Sequence, residues 1–392
     1  MINFKKKRLT FSALLILTVS ACSDGQTNAE PVDLTSPYEY KTPAYTDDGW
    51  QVGHLGDFGF DQSQITPLIR QIENGTFPGI ESISIVRNNT LLLHKDFRTS
   101  FSQYDNWIGN DQLDHHVMHS TSKSFVSTLV GIAIEQGYIQ DSQVPFYDFF
   151  DYPEYDNWTP EKQSITLENA LTMQLGIEWD EWSHPYTDER NSLVNIVNNN
   201  HDYIKALLDL PLTSQPGELY AYNTAASIAL GLVVENSTGI ALEDYAEEYL
   251  FAPMQFEDAK WLMTPTDLPN AGSGLFLRTR DMAKFGQLYL DQGVWNGMQI
   301  INSDWIEKSL QHAVILNWDF TTGYGYQWWL GSFSADNKLI PFYSTRGYGG
   351  QFIVIVPEYE LVVAFTGNNY ENDLYASPFN LVEDYILPAI VL

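Results

Sequence analysis

The sequence predicts an α+β fold. It consists of an antiparallel sheet built from N- and C-terminal segments, flanked by helices, with a mostly helical lobe inserted between them. Three observations carry this prediction. Near the start, "ISIVRNNTLLLHKDF" (83–97) sets two apolar runs around Asn88-Asn89, the pattern of a hairpin. Near the end, "YGYQWWLG", "GGQFIVIVP" and "ELVVAFTG" read as adjacent strands. Between these ends, apolar residues recur at helical rather than alternating spacing.

In chain order, the N-terminus reads Lys5-Lys6-Lys7-Arg8, then the apolar "LTFSALLILTV", then "SAC". A positive region, a short apolar run and small residues make a signal peptide over 1–21, too short to span a bilayer. "VSAC" resembles a bacterial lipobox, which implies cleavage before Cys22, lipidation of its thiol and a membrane anchor. Ser23 after Cys22 resembles the outer-membrane sorting signal of Gram-negative lipoproteins. Residues 22–47 are polar and dotted with Pro, and read as a tether. The folded domain is expected over 48–392, with the helical lobe at about 125–310. Within that lobe, residues 120–137 place Phe125, Leu129, Ile132 and Ala133 at helical spacing, and Gly137 stops the helix. "SITLENALTMQLG" (164–176) has a Thr166 cap and a Gly176 stop. "NSLVNIVNNNHDYIKALLDL", "NTAASIALGLVVENSTG" and "RTRDMAKFGQLYLDQG" follow the same pattern, and the closing "LVEDYILPAIVL" reads as helix.

The chain has 392 residues, with 50 Asp and Glu against 20 Lys and Arg, a formal net charge of −30. Such a surface repels phosphate backbones and excludes nucleic acid as a partner. The acids are scattered rather than blocked, as on a solvated surface adapted to a salty medium. With one cysteine there is no intramolecular disulfide. Eleven Trp and 23 Tyr exceed what a core needs, so some are expected to line a cleft.

Ser120-Thr121-Ser122-Lys123 is an S-x-x-K that opens the most apolar helix of the chain. Positions i and i+3 share a helix face, so the Lys amine sits beside the Ser hydroxyl. A hydroxyl is a poor nucleophile until a base takes its proton. A half-buried Lys has a lowered pKa and can serve, or can lower the pKa of a Tyr. A chain of this composition holds about one S-x-x-K by chance, so the apolar context carries the weight. His115 and His119, spaced i, i+4, raise a metal site. Without H-E-x-x-H or a nearby Cys, exposed or capping histidines are the expectation for His115, His116 and His119, and no metal or cofactor is expected. His184 in "EWDEWSHPY" is expected as a packed loop residue. No G-x-S-x-G and no dinucleotide fingerprint occurs.

"HSTSKSFVSTLVGIAIEQGYI" resembles the nucleophile helix of the serine β-lactamase and penicillin-binding-protein superfamily. It is most similar to the branch related to class C β-lactamases, which also holds esterases, D-amino-acid peptidases and nylon-oligomer hydrolases. "ITLENALTMQLGIEWDE", "PGELYAYNTAASIALG", "GSGLFLRTRDMAKFGQLYLDQGVWNGMQII" and "RGYGGQFIVIVPEYELVVAFTG" resemble further blocks of that family, in the expected order over about residues 48–392. The resemblance implies a β-lactamase/transpeptidase-like fold. It also implies Ser120 as acyl-forming nucleophile, Lys123 as its partner, and Tyr222, the tyrosine of the family's Y-x-N, as base and acid. Which of Lys123 and Tyr222 is the base stays open. The backbone N–H groups of Ser120 and Gln351 are implied as the oxyanion hole, and Thr224, Tyr348, Gly349 and Gly350 as substrate contacts.

Two departures stand out: Thr224 replaces the family's Asn, and Tyr348-Gly349-Gly350 replaces Lys-Thr-Gly or His-x-Gly, losing a cation. The expected function is a serine hydrolase acting on an ester or amide of a small substrate. A D-Ala-D-Ala carboxypeptidase or β-lactamase is the alternative within the class. A non-catalytic ligand-binding lipoprotein of the same fold is the alternative outside it.

Overall fold

The structure is a computed structural model that describes residues 38–105, 112–318, 320–335, 338–370, 374 and 377–391. The expected signal peptide, Cys22 and the tether up to residue 37 lie outside the described residues. A short strand, Gln51–Val52 (β1), precedes the hairpin that the sequence predicts. Ile80–Arg87 (β2) and Thr90–Asp96 (β3) turn about Asn88 and Asn89, whose φ angles of 49° and 57° suit a two-residue hairpin turn. Six strands follow from the last third of the chain. They are Val314–Trp318 (β4), Thr321–Tyr324 (β5), Trp329–Ala335 (β6), Lys338–Gly347 (β7), Gln351–Val356 (β8) and Leu361–Gly367 (β9). The sheet order is β1-β3-β2-β9-β8-β7-β6-β5-β4, and only β1 and β3 run parallel. N- and C-terminal segments therefore meet at β2 and β9.

Both faces of the central strands are buried, so their sequences read as unbroken apolar runs while the side chains still alternate. Ile353 and Ile355 of β8, with Val362 and Ala364 of β9, join one core. Phe352, Val354, Leu361, Val363 and Phe365 join another on the opposite face. Gln62–Glu73 (α1), capped by Asp61, and the C-terminal helical turns 377–386 cover the second face. The first face carries Ser122–Glu135 (α2), Thr224–Thr238 (α3) and Thr279–Leu290 (α4). α4 packs directly on the sheet at Gly286, where a Cβ would meet Val362 Cγ1 at 2.5 Å and Ile353 Cγ2 at 2.7 Å. α2 is buried all round from Ser122 to Ala133, which is why its sequence is apolar on every face. Phe125 stacks on Phe285 of α4 with centroids 3.8 Å apart.

The structure departs from the sequence reading in several places. The compact unit of described residues starts at Tyr38. Tyr40 anchors it by donating to Leu92 O and accepting from Leu55 N. "YGYQWWLG" is not one strand: β5 ends at Tyr324 and β6 starts at Trp329, with Gln327 at φ 63° in the turn between. Gln327 is buried there because its amide binds the carbonyls of Ala170 and Leu171. The closing helix ends at Ile386, after which Ile390 bridges to Phe60. His115 and His116 are neither exposed nor caps. Both are buried in a short strand, His115–Val117, paired with Leu275–Arg278, and His116 bonds Glu81. The expectation failed because their strand partner lies some 160 residues away, outside any local pattern.

Candidate active site

A turn over His119–Thr121 leads into α2 and carries Ser120. Hydrogen bonds to several separate elements pin it. Met118 N donates to Leu275 O, Thr121 Oγ1 to Gln351 O (2.8 Å) and to Thr345 Oγ1 (3.1 Å), and Leu275 N to Ser122 Oγ (3.1 Å). His119, expected to be exposed or a cap, is instead buried, and it sits at φ 45°, a conformation that costs a residue with a Cβ and that the surrounding bonds must hold. Its ring packs edge-on against Tyr104, Tyr348 and Tyr370.

The structure brings Ser120, Lys123 and Tyr222 together. Lys123 Nζ donates to Ser120 Oγ at 3.1 Å and to Gly272 O at 2.7 Å, and lies 4.9 Å from the centre of the Tyr222 ring. Tyr222 is within hydrogen-bonding reach of Ser120. Burial pushes the Lys123 ammonium down to about 7, against an opposing pull from the Glu181 carboxylate. Burial, then Glu181, raises Tyr222 above its ordinary range, so the phenol keeps its proton. Burial, assisted by Lys123, pushes His119 down to about 3, which leaves it neutral. Near neutral pH the amine of Lys123 is thus the group able to take a proton. One of its N–H bonds is held by Gly272 O, which aims the amine at Ser120. Gly272 can approach because it lacks a side chain: a Cβ there would meet Thr224 Cγ2 and Thr224 O at 2.7 Å.

The structure engages two of the sequence-derived site residues with other parts of the chain. Thr224 is 2% exposed and its hydroxyl donates to Glu181 Oε1 at 2.6 Å, so it is not available to a substrate. Gln351 lies within the sheet as the register partner of Gly347, and its side-chain amide spans to Gly367 O and N. Its carbonyl accepts from Thr121 Oγ1, the residue after the nucleophile. The strand end that abuts the nucleophile turn is Gly347, where a Cβ would meet Met118 O at 2.2 Å. Gly347 O accepts from Gly350 N on the β8 side, so by strand alternation the next N–H, that of Tyr348, faces away from β8. Gly349 and Gly350 are needed for the hairpin itself, at φ 85° and 106°, and a Cβ on Gly349 would strike the Tyr370 ring. Tyr348 packs among His119, Tyr186 and Tyr370.

Three features escaped the sequence reading. Glu181 is buried beside Lys123, Gly272 O anchors the amine, and Trp182 stacks on Tyr222 with centroids 4.9 Å apart. Trp182 also meets Trp318, at the end of β4, at 5.1 Å, and Trp329 at 6.3 Å. Tyr220 is set among Trp318 and Tyr324. Two segments far apart in sequence, 179–190 and 314–324, thus form an aromatic wall beside Tyr222. Arg346 does not stand in for the missing cation of the third motif: its guanidinium lies over Trp329 and Phe379. Among the described residues no cluster of three His, Cys, Asp or Glu side chains could hold a metal ion.

The Beta-lactamase family model matches residues 68–378. A 6-aminohexanoate-dimer hydrolase of Paenarthrobacter ureafaciens is 26% identical over 266 residues, 64% of this chain and 65% of that protein's length. Among solved structures, a beta-lactamase/D-alanine carboxypeptidase from Yersinia pestis superposes with a TM-score of 0.62 at 15% identity, covering 81% of this chain and 95% of that one. An octameric penicillin-binding protein homologue from Pyrococcus abyssi gives 0.60 at 18% identity, covering 82% and 77%. At these identities the structural likeness is one of fold. Because the family match runs from α1 through the nucleophile helix to the closing strands, the chain belongs to the beta-lactamase family of the serine β-lactamase and penicillin-binding-protein superfamily, and its relatives fit the class C-related branch.

Proposed function

We propose that the protein is a serine hydrolase that cleaves an ester or amide bond of a small, largely apolar substrate through an acyl-enzyme on Ser120. The observation that carries this reading is the buried amine of Lys123, 3.1 Å from Ser120 Oγ and depressed to about 7. As Ser120 Oγ bonds the substrate carbonyl carbon, its proton passes to Lys123 Nζ. The carbonyl oxygen becomes an oxyanion, for which the N–H groups of Ser120 and Tyr348 are the proposed donors. The leaving group departs with a proton delivered through the Tyr222 hydroxyl. Water then attacks the acyl carbon by the same route in reverse, releasing the acid and restoring Ser120.

The substrate class is argued from what lines the site. Trp182, Trp318 and Trp329 form one aromatic cluster, beside Tyr222, and Tyr348, Tyr370 and neutral His119 form another, next to Ser120 in the chain. Apolar acyl or leaving groups suit such walls. With Tyr348 in place of the family's cation, a substrate carboxylate has no charged partner at that motif. This weighs against turnover of penicillins and D-Ala-D-Ala peptides, although the family and the Yersinia pestis neighbour keep that reading in play. A pure binding role has no use for an amine held on a serine. Export and lipid anchoring at Cys22 form part of the proposal on the sequence alone; a Cys22→Ser chain should lose membrane association.

Intact mass of the chain after fluorophosphonate treatment tests the central claim. One adduct on the parent and none on Ser120→Ala is the expected result. No adduct on folded parent protein refutes it and leaves the binding reading in front. Panels of aryl esters, short amides and a chromogenic cephalosporin then separate the substrate classes.

A further inference from the structure

Glu181 is 3% exposed, and each of its polar neighbours supplies a hydrogen. Oε2 accepts from Thr224 N (2.8 Å) and Trp179 Nε1 (3.3 Å), and Oε1 from Thr224 Oγ1 (2.6 Å) and the Tyr186 hydroxyl (3.0 Å). Burial raises the Glu181 carboxyl above its ordinary value, opposed by the Lys123 charge and by these donors; both donors on Oε2 are N–H groups that cannot accept, an arrangement that suits the ionised carboxylate. Its charge sits at the first turn of α3, a helix of 15 residues, where unpaired backbone N–H groups favour an anion. Trp179 Nε1 also donates to Tyr222 O at 2.7 Å, so one indole ties Glu181 to the backbone of the tyrosine beside Ser120. Thr224, at the position where the family has Asn, is the residue that receives this carboxylate.

The groups facing Lys123 are Glu181 from the 179–190 loop, Tyr222 from the segment before α3, and His119 from the turn before α2. Those facing Glu181 are Lys123, Tyr186, Tyr220, Tyr222 and Tyr324, and Arg346 reaches Tyr220. His119 is neutral and the tyrosines keep their protons, so the electrostatic balance at the nucleophile lies between Lys123 and Glu181.

We propose that Glu181 is a positioning residue that directs proton traffic in this site. Its buried carboxylate favours positive charge arising on Lys123 and disfavours negative charge on Tyr222, so Ser120 gives its proton to Lys123 while Tyr222 stays a phenol. The inference rests on the serine-hydrolase reading above and answers which of the two partners is the base. The step balances. The Ser120 O–H bond breaks as the O–C bond forms, and the proton becomes the third N–H of Lys123. It later leaves for the departing group by exchange through the Tyr222 hydroxyl. The ammonium that forms is favoured by the field of a carboxylate already in place, with no reorganisation during the reaction.

The test is the rate of fluorophosphonate inactivation from pH 5 to 9 on the full chain, for the parent, Glu181→Gln, Glu181→Asp and Tyr222→Phe. The parent should show a rising limb with its midpoint near 7, where Lys123 loses its proton. Glu181→Gln removes the carboxylate that supports the ammonium, so the midpoint should fall by about one pH unit with a several-fold lower plateau. Glu181→Asp keeps the charge and should keep the parental midpoint. Tyr222→Phe should react more slowly but retain the limb. A Glu181→Gln profile lowered uniformly at every pH, with its midpoint unmoved, overturns the proposal and leaves Glu181 a wedge under α3. So does a Tyr222→Phe profile that loses the limb, since Tyr222 is then the base. If Glu181→Gln fails to fold, the Tyr222→Phe profile decides: a retained limb upholds proton transfer to Lys123 and a lost limb overturns it. Absence of any adduct on folded parent protein is a separate outcome: it sinks the serine-hydrolase reading itself.

Discussion

Replacing Lys123 by methionine should stabilise the protein at acidic and neutral pH while abolishing acylation. Lys123 is 1% exposed, and its ammonium is held at about 7 against an ordinary value of 10.5. Between those two pH values the folded chain binds fewer protons at this site than the unfolded chain. The contribution of Lys123 to stability therefore rises with pH across that window and is most unfavourable below 7, where the folded site must accommodate the ammonium. At about 1.4 kcal/mol per pH unit the whole window corresponds to roughly 5 kcal/mol. Methionine fills similar space without an amine but leaves Gly272 O without its donor, a loss of about 1–3 kcal/mol. Lys123→Met should then exceed the parent by about 2–4 kcal/mol at pH 6. The margin should shrink with pH and vanish or reverse near 10.5. Urea unfolding of both chains at unit pH steps measures this. A stability difference that does not change with pH would refute the reasoning, because it would mean that the amine is not held neutral by burial.

Two further outcomes follow from the geometry. Gly272→Ala places a Cβ 2.7 Å from the backbone of Thr224. It should cost about 1–3 kcal/mol of stability and lower fluorophosphonate reactivity at least tenfold as the anchor of Lys123 moves, whereas a parental rate would remove Gly272 O from the mechanism. Trp182→Ala removes a ring that is 48% exposed and stacked on Tyr222. Stability should change little, while KM for aryl esters rises about two- to tenfold and that for a methyl ester stays put; equal effects on both esters would argue that the indole supports Tyr222 rather than the substrate.

How much of this was legible in the sequence depends on how local each signal is. Ser120 and Lys123 share a helix face three residues apart, so their contact follows from helix geometry alone. Tyr222 was found by resemblance across a hundred residues, and the structure sets it against that pair. Asn88-Asn89 marked its hairpin because the turn is specified by two adjacent residues. The surroundings of Gln351 and Thr224 were not legible, for the opposite reason. Whether a strand residue presents its backbone to a site depends on which neighbour it pairs with, and whether a hydroxyl is free depends on which distant group reaches it first. Glu181 carried no local signal at all, being one of 50 acids in the chain.

By itself the sequence determined the α+β class, the strands at both ends, the apolar nucleophile helix and the Ser-x-x-Lys at its start. These rest on periodicity and spacing within a few residues, where backbone geometry leaves little choice. Only the tertiary structure decided the electrostatics of the site and its walls. Burial depresses Lys123, Glu181 folds under α3 beside it, and Trp182 and Trp318 meet from segments more than a hundred residues apart. A side chain's charge state and its neighbours are properties of the packed chain, set by which water is excluded and which dipoles replace it.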